Sequence, residues 1–476
     1  MPVVTNSTLF NTNLADAIVS ALQIFPVTNP WNEDISRRPV LPNSDAMIAQ
    51  IISDLSAGNR TLIAFFEMNY VLVPDNQPLV PINFFNYPDE SDLNGGISPV
   101  GLYPIPTNLP VESWPRGTGT QTLSQWQRAT NSGDRHAIMV QPGSGFVRET
   151  WLTQLLGTNW EASNGAQFDL NGNELRPDGW TSGDAAGLPM FPALPRYDEC
   201  ERGMVEHACR IVVKKSRKEY IYPATHDASS TPATQTNVPA MGQRVRLKSS
   251  FVIPNNWLKE EKAVLLALKK YGAIVADNGN YFSISVTPDD RWPANCFNNF
   301  TSISITNFEV IQTTGPNEGP RSPGAPAANA GLDQSAPMAQ PVPLQGFVSY
   351  SGALPVIQWK QYSGPGTVTF GNPAQTNTTA SFSAPGVYTL MLSADDGVHA
   401  VAYDAMVVTV TQGIRVAIAP AGANVNLTWT GGSPPYVVEA ADSLSPSSWS
   451  AAITTSVQNT SIPITNTAGF FRVRGN

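Results

Sequence analysis

Three of the four histidines have an acid or an arginine close by: His136 in "GDRHAIMV", His207 in "YDECERGMVEHACRIVV" and His226 in "YIYPATHDASS". A neutral imidazole can take a proton or bind a metal, and a neighbouring carboxylate fixes its tautomer. His136, His207 or His226 are therefore candidate bases, or ligands of a divalent metal. The stretch "RPDGWTSGDAAGLPMFPALPRYDE", Arg176 to Glu199, has neither the helical nor the strand period. Long irregular stretches in compact domains are often functional. This one supplies Asp178, Asp184, Asp198 and Glu199 as catalytic candidates, and "IVADNG" adds Asp277 as an acid for substrate binding. Hydrolysis of a glycosidic bond uses two carboxyl groups, one acid and one nucleophile or base, ~5–9 Å apart. Trp180, Tyr197 and Trp292 are aromatic faces on which a sugar ring would stack, and apolar surroundings raise the pKa of an acid. Arg196 precedes Tyr197, and Arg244, Arg246 and Lys248 alternate along "GQRVRLKSSF". Such a row suits the carboxylates of a uronic polymer. A lyase would use Arg to neutralise the carboxylate and His or Tyr to take the C5 proton. Each feature also has an ordinary reading: Asp before Gly is turn chemistry, and a basic row is often an exposed strand face.

Composition narrows the classes. The 476 residues carry a net charge of −9. Nucleic-acid binders normally show a basic stripe, and the one basic cluster here, "RIVVKKSRKEY", reads as a strand edge kept soluble by lysines. No run of about 18 apolar residues exists, so no helical membrane span is expected. Charged residues are 14% of the chain, against about 25% in typical globular proteins. Asn, Thr, Ser, Gly and 41 Pro fill the gap, a mix common in secreted β-rich proteins. The N-terminus has no basic-then-apolar leader, so a mature chain with its signal peptide removed is expected. Of the three cysteines, Cys200 and Cys209 either pair, leaving Cys296 odd, or all three are free thiols. No nucleophile-elbow, zincin, phosphate-loop or dinucleotide motif occurs in a supporting context.

The elements that must position these groups are mostly strands. "RHAIMVQ", "ACRIVVKK", "RVRLKSSFVI", "YFSISV" and "FTSISITNFEVI" alternate. Two helices are predicted: "NSDAMIAQIISDL", capped by Asn43 or Ser44, and "NNWLKEEKAVLLALKKYG", capped by Asn256 and stopped by Gly272. Residues 1–312 are expected to form one β-rich catalytic or ligand-binding domain, a large antiparallel jelly-roll-like sandwich with a few helices. Residues 313–328 read as a Pro/Gly linker. Residues 329–412 and 413–476 each show short strands at even spacing, as expected of small Ig-like β-sandwich modules.

"ANAGLDQS", "WKQYSGPGTVTF", "FSAPGVYTLMLSADDG" and the closing "VVTVT" resemble the PKD-type Ig-like modules of secreted bacterial proteins. "ANVNLTWTGGSPPYVVEAADSL" and "AGFFRVRGN" resemble the small fibronectin- or Ig-like modules appended to bacterial extracellular proteins. The phrases "NPWNEDIS", "GDRHAI", "LRPDGWTSGDAAGLP", "RYDE", "ATHDAS", "MGQRVRLK" and "ALKKYGAIVADNG" resemble the N-terminal region of secreted bacterial proteins that carry PKD-like modules. The resemblances imply a secreted multidomain protein whose C-terminal modules space or attach. Together with the acids and aromatics, they lead to the expectation of a protein acting on extracellular polysaccharide. Glycoside hydrolysis is the first expectation, a lyase on uronic polymers the second, and a non-catalytic glycan-binding or matrix protein the rival from another class.

Overall fold

The computed structural model describes residues 4–26, 29–36, 38–130, 133–312, 326–338, 340–396, 402–432, 434–445, 448–464 and 469–475. Most of the expected linker, residues 313–325, lies outside them. The fold is mainly β, with few helices.

The N-terminal region is built on three sheets. A six-stranded sheet runs Phe308–Val310, Arg244–Leu247, Ala273–Asn278, Cys209–Val213, Phe282–Val286, Leu62–Phe66. A five-stranded sheet contains Ala137–Gln141 and Phe146–Trp151, and a four-stranded sheet contains Val80–Phe84 and Asn159–Ala162. The sheets are mixed rather than purely antiparallel. Leu62–Phe66 runs parallel to Phe282–Val286, and Cys209–Val213 runs parallel to Ala273–Asn278. Parallel neighbours need long crossovers, so an antiparallel jelly-roll does not describe this region.

Alternation along these strands creates two unlike faces. Cys209, Ile211, Val213, Phe282, Ile284, Val286 and Leu62 enter the main core, with Ala64 and Phe66 packed against it. Arg210, Val212, Ser283, Ser285, Ile63, Phe65 and Glu67 fall at the intervening positions. The second face therefore carries polar groups on a rigid sheet.

The helix Lys259–Lys270 starts after Leu258, two residues later than an Asn256 cap would place it. The Glu261 carboxylate accepts the Leu258 N–H at 3.2 Å and replaces the asparagine as N-terminal partner. Gly272 ends the helix at φ +70, where a Cβ would lie 2.5 Å from the Val245 carbonyl. The second predicted helix is Ser44–Asp54. "FTSISITNFEVI" is not one strand: 3-10 turns at Asn298–Ser302 and Ile305–Asn307 precede Phe308–Val310. Ser304 accepts the Thr306 N–H and stabilises the second turn. A short helix, Tyr197–Arg202, forms at the end of the irregular acidic stretch.

Cys200, Cys209 and Cys296 are all free and buried. The C-terminal modules have separate cores, one around Trp359 and Tyr388, the other around Leu427, Trp429, Tyr436 and Val438. No helix among the described residues is long and apolar enough to cross a membrane, which says nothing of spans made by strands.

Candidate functional site

The candidate site is organised around the segment Gly183–Asp184–Ala185. His136, buried at the start of its strand, donates from Nε2 to the Gly183 carbonyl at 2.8 Å and from Nδ1 to Glu112 Oε2 at 2.9 Å. Burial pulls the imidazole pKa down, but the Glu112 carboxylate outweighs it and lifts it to about 9. Burial would raise Glu112, and the His136 ion pair instead holds it low. His226 donates from Nδ1 to the Ala185 carbonyl at 2.7 Å. Between the two carbonyls, the Asp184 carboxylate takes a two-pronged contact from Arg210, with Nε to Oδ2 at 2.8 Å. Both partners are buried. A forked guanidinium–carboxylate pair fixes orientation as well as charge.

Arg210 extends this anchor to the water-facing side. It donates to Ser285 Oγ, and Ser285 in turn donates to Glu67 Oε1 at 2.6 Å. The guanidinium also lies 4.0 Å from Glu67 Oε1 and 3.7 Å from Asp277 Oδ2. The Glu67 and Asp277 side chains are 26% and 25% exposed, against 0% for Asp184. Burial, reinforced by Glu112, pushes Glu67 up to about 7 against the pull of Arg210. Burial, reinforced by Asp184, pushes Asp277 up to about 7 as well. Two carboxyls that exchange protons near neutrality, reachable from water and held by one fixed cation, are the equipment of general acid–base chemistry. Behind them the fully buried Glu149 accepts the Met190 and Phe191 N–H groups at 2.9–3.0 Å. Burial pushes its carboxyl to about 7 too. It has no route to solvent and anchors the irregular stretch.

A second charged cluster holds Arg196, Asp198, Glu199 and His207. Arg196 bridges Asp198 at 3.5 Å and also pairs with Glu199. His207 Nε2 lies 3.3 Å from Glu199, and its Nδ1 donates to the Ala208 carbonyl at 2.8 Å. Arg202 closes over Asp198 at 2.9 Å. Burial pushes Asp198 up despite Arg196, whereas Arg196 and His207 overcome burial and hold Glu199 low. Tyr197 lies under the Arg291 guanidinium, 4.3 Å from it, and edge-on to Trp292. A cleft of about 360 Å³ is lined by Tyr197, Asp198, Arg202 and Arg291.

The predicted residues thus divide. Asp184 and Asp277 meet at Arg210, and His136 and His226 hold the carbonyls of the residues flanking Asp184. Asp198, Glu199, His207, Arg196 and Tyr197 form the separate cluster at the helix Tyr197–Arg202. Asp178 is exposed and accepts the Tyr220 hydroxyl at 2.9 Å. Trp180 lies beside the Arg176 guanidinium, at 5.6 Å. The basic row is not an open face: Arg244 donates twice to the Tyr271 carbonyl and once to Glu33. Arg246 is held by Glu309 and the Ile35 and Arg38 carbonyls, and Lys248 by the Thr306 carbonyl. Burial lowers Arg244 to about 10. Arg244 and Arg246 tie the N-terminal segment to the sheet.

The three histidines do not share a metal site, because each turns ring nitrogen onto backbone carbonyls or a carboxylate. Among the described residues, no group of three or more His, Cys, Asp and Glu is placed to hold a metal ion.

Sequence reasoning missed Glu67, Glu112, Glu149, Ser285 and the role of Arg210. The signal was there in "ACRIVV", where one arginine alternates with apolar residues. A charge at such a position must be buried with a partner.

Residues 330–410 match the model of a PKD domain family. No curated protein matches the chain. Among solved structures, a crystal structure of domains from titin matches at 16% identity with a TM-score of 0.18, covering 35% of this chain and 73% of that one. So small an overlap has no bearing on function. The class that can be stated is a mainly β multidomain protein with a PKD-type module behind its largest region.

Proposed function

We propose that the N-terminal region hydrolyses glycosidic bonds of an extracellular polysaccharide, with Glu67 and Asp277 as the working carboxyl pair. The observation that carries this reading is the pair itself: two half-buried carboxyls near neutral pKa on either side of one buried guanidinium. One would protonate the leaving oxygen while the other, ionised, acts as base or nucleophile. Arg210 would stabilise the ionised partner, and the bond to Ser285 would hold Glu67 in line. Asp184, His136, Glu112 and His226 position this machinery and do not touch substrate. Compared with the first expectation, the acid–base role moves from Asp178, Asp198 and Glu199 to Glu67, with Asp277 promoted from binding. The lyase reading loses its support, since Arg244, Arg246 and Lys248 are spent on carbonyls and carboxylates.

The PKD-type module, common in extracellular proteins, supports secretion and a role in spacing or attachment. It also favours the rival reading, a non-catalytic glycan-binding protein. A reducing-end assay against plant, algal and microbial polysaccharides, with absorbance at 235 nm read in parallel, separates the readings. New ends without absorbance are expected. New ends with absorbance mean a lyase, and silence on every substrate favours binding alone.

A further inference from the structure

The outward face of the six-stranded sheet continues beyond Glu67 as an aromatic surface. Phe65 precedes Glu67 by two residues, so both side chains fall on one face, about 7 Å apart along the strand. Ala64 and Phe66 point into the core, whereas Phe65 meets Tyr281 edge-on with ring centroids 5.1 Å apart. Phe65 is half-buried and Tyr281 is 38% exposed, so neither ring is closed off from water. Ser285 pairs with Phe65 across the parallel ladder, so Phe65 stands between the hydroxyl that holds Glu67 and the Tyr281 ring.

At this end of the sheet both signs of charge are present, and the cations are bonded to neighbours. Arg210 is fully committed to Asp184, Ser285 and the two working carboxyls, and His136 to Glu112 and the Gly183 carbonyl. Lys214, at the end of the strand that carries Arg210, donates to Asn280. What faces a ligand is therefore aromatic surface with two acids at the Glu67 end and the exposed Lys214 ammonium beside Asn280, while the Arg210 guanidinium is already taken up by its partners.

We propose that Phe65 and Tyr281 form a stacking subsite, continuous with Glu67 and Asp277, for pyranose rings that carry no carboxylate, that is, neutral or amino sugars. The inference rests on the proposed hydrolase site and names its substrate class. An aromatic face covers the apolar side of a sugar ring, and an ammonium gains further from the ring and the acids. A uronic ring would bring a like charge to Glu67 and Asp277.

Calorimetric titration of the full chain at pH 7 tests this with three probes: a glucan hexamer, a glucosamine hexamer and a galacturonate hexamer. The first two are expected to bind, glucosamine more tightly, and galacturonate at least about tenfold more weakly. Tyr281→Ala, a change at a surface position, is expected to weaken the two binders about tenfold. Phe65→Leu keeps the strand apolar and is expected to weaken them less. The subsite is overturned if Tyr281→Ala binds like the wild type, if galacturonate binds best, or if no hexamer binds. Binding that depends on Tyr281 without release of reducing ends contradicts the hydrolase reading and leaves the subsite standing. Hydrolysis unaffected by Tyr281→Ala does the reverse.

Discussion

Two clusters in the N-terminal region share one plan. Each has a buried arginine bridging two acids: Arg210 with Asp184 and Asp277, and Arg196 with Asp198 and Glu199. They differ in what remains unspent. Around Arg196 the acids are 4% and 7% exposed; Arg202 pairs with Asp198, which borders a cleft, and His207 lies beside Glu199. Around Arg210 the inner acid is sealed, while Asp277 and Glu67 face water at 25% and 26% exposure. The lesson is that a charged cluster suggests chemistry only where it keeps a proton-exchanging group within reach of solvent. A saturated cluster of the same composition holds a helix in place.

Substitutions test that difference, beginning with the largest effect. Glu67→Gln and Asp277→Asn are each expected to lower glycan hydrolysis about 10²–10⁴-fold with little change in melting temperature. Asp198→Asn should leave turnover within a few-fold. Comparable turnover losses at both clusters would erase the distinction.

Removing either buried arginine should cost about 3–5 kcal/mol, because the acids left behind are uncompensated. Arg210→Met and Arg196→Met are expected to match in denaturant unfolding, so stability alone does not tell the clusters apart.

The third test is the pH dependence of stability. Glu67, Asp277 and Glu149 are raised to about 7 in the folded chain, against about 4 when unfolded. Between these values the folded state holds the extra protons. Stability contributed by the three groups is therefore complete below about pH 4 and is lost as pH rises towards 7. Each group adds a slope of at most about 1.4 kcal/mol per pH unit. Glu149→Gln should flatten the fall between pH 5 and 7 in urea melts, and an unchanged slope would contradict the buried protonated state. The smallest effect is expected at the rim of the Arg196 cluster. Arg202 is 46% exposed, and Arg202→Ala should cost no more than about 1 kcal/mol.

Much of the scaffold was legible in the sequence. Alternation in "CRIVV" and "FSISV" specifies strands with one apolar face, and the two long helices follow from their apolar stripes, with Gly272 marking one end. The PKD-type module could be recognised from its turn-and-strand phrases. Asp184 and Asp277 drew attention as acids in irregular or strand-ending positions, and the fold brings both to Arg210. Glu67 was not, because "LIAFFEMNY" reads as one apolar strand with an incidental acid. Only the parallel pairing with Phe282–Val286 brings Ser285 and Arg210 beside it. Neighbours well over a hundred residues apart in sequence leave no local period to read. The basic row failed for a related reason. Alternation shows that Arg244 and Arg246 share a face, but only the fold shows the N-terminal segment covering it.

The most direct test of the central claim is release of reducing ends from the polysaccharide panel by four proteins: wild type, Glu67→Gln, Asp277→Asn and Asp198→Asn. Activity in the wild type and Asp198→Asn, with loss in the other two, is the predicted result. Full activity in Glu67→Gln and Asp277→Asn, or loss confined to Asp198→Asn, would contradict it.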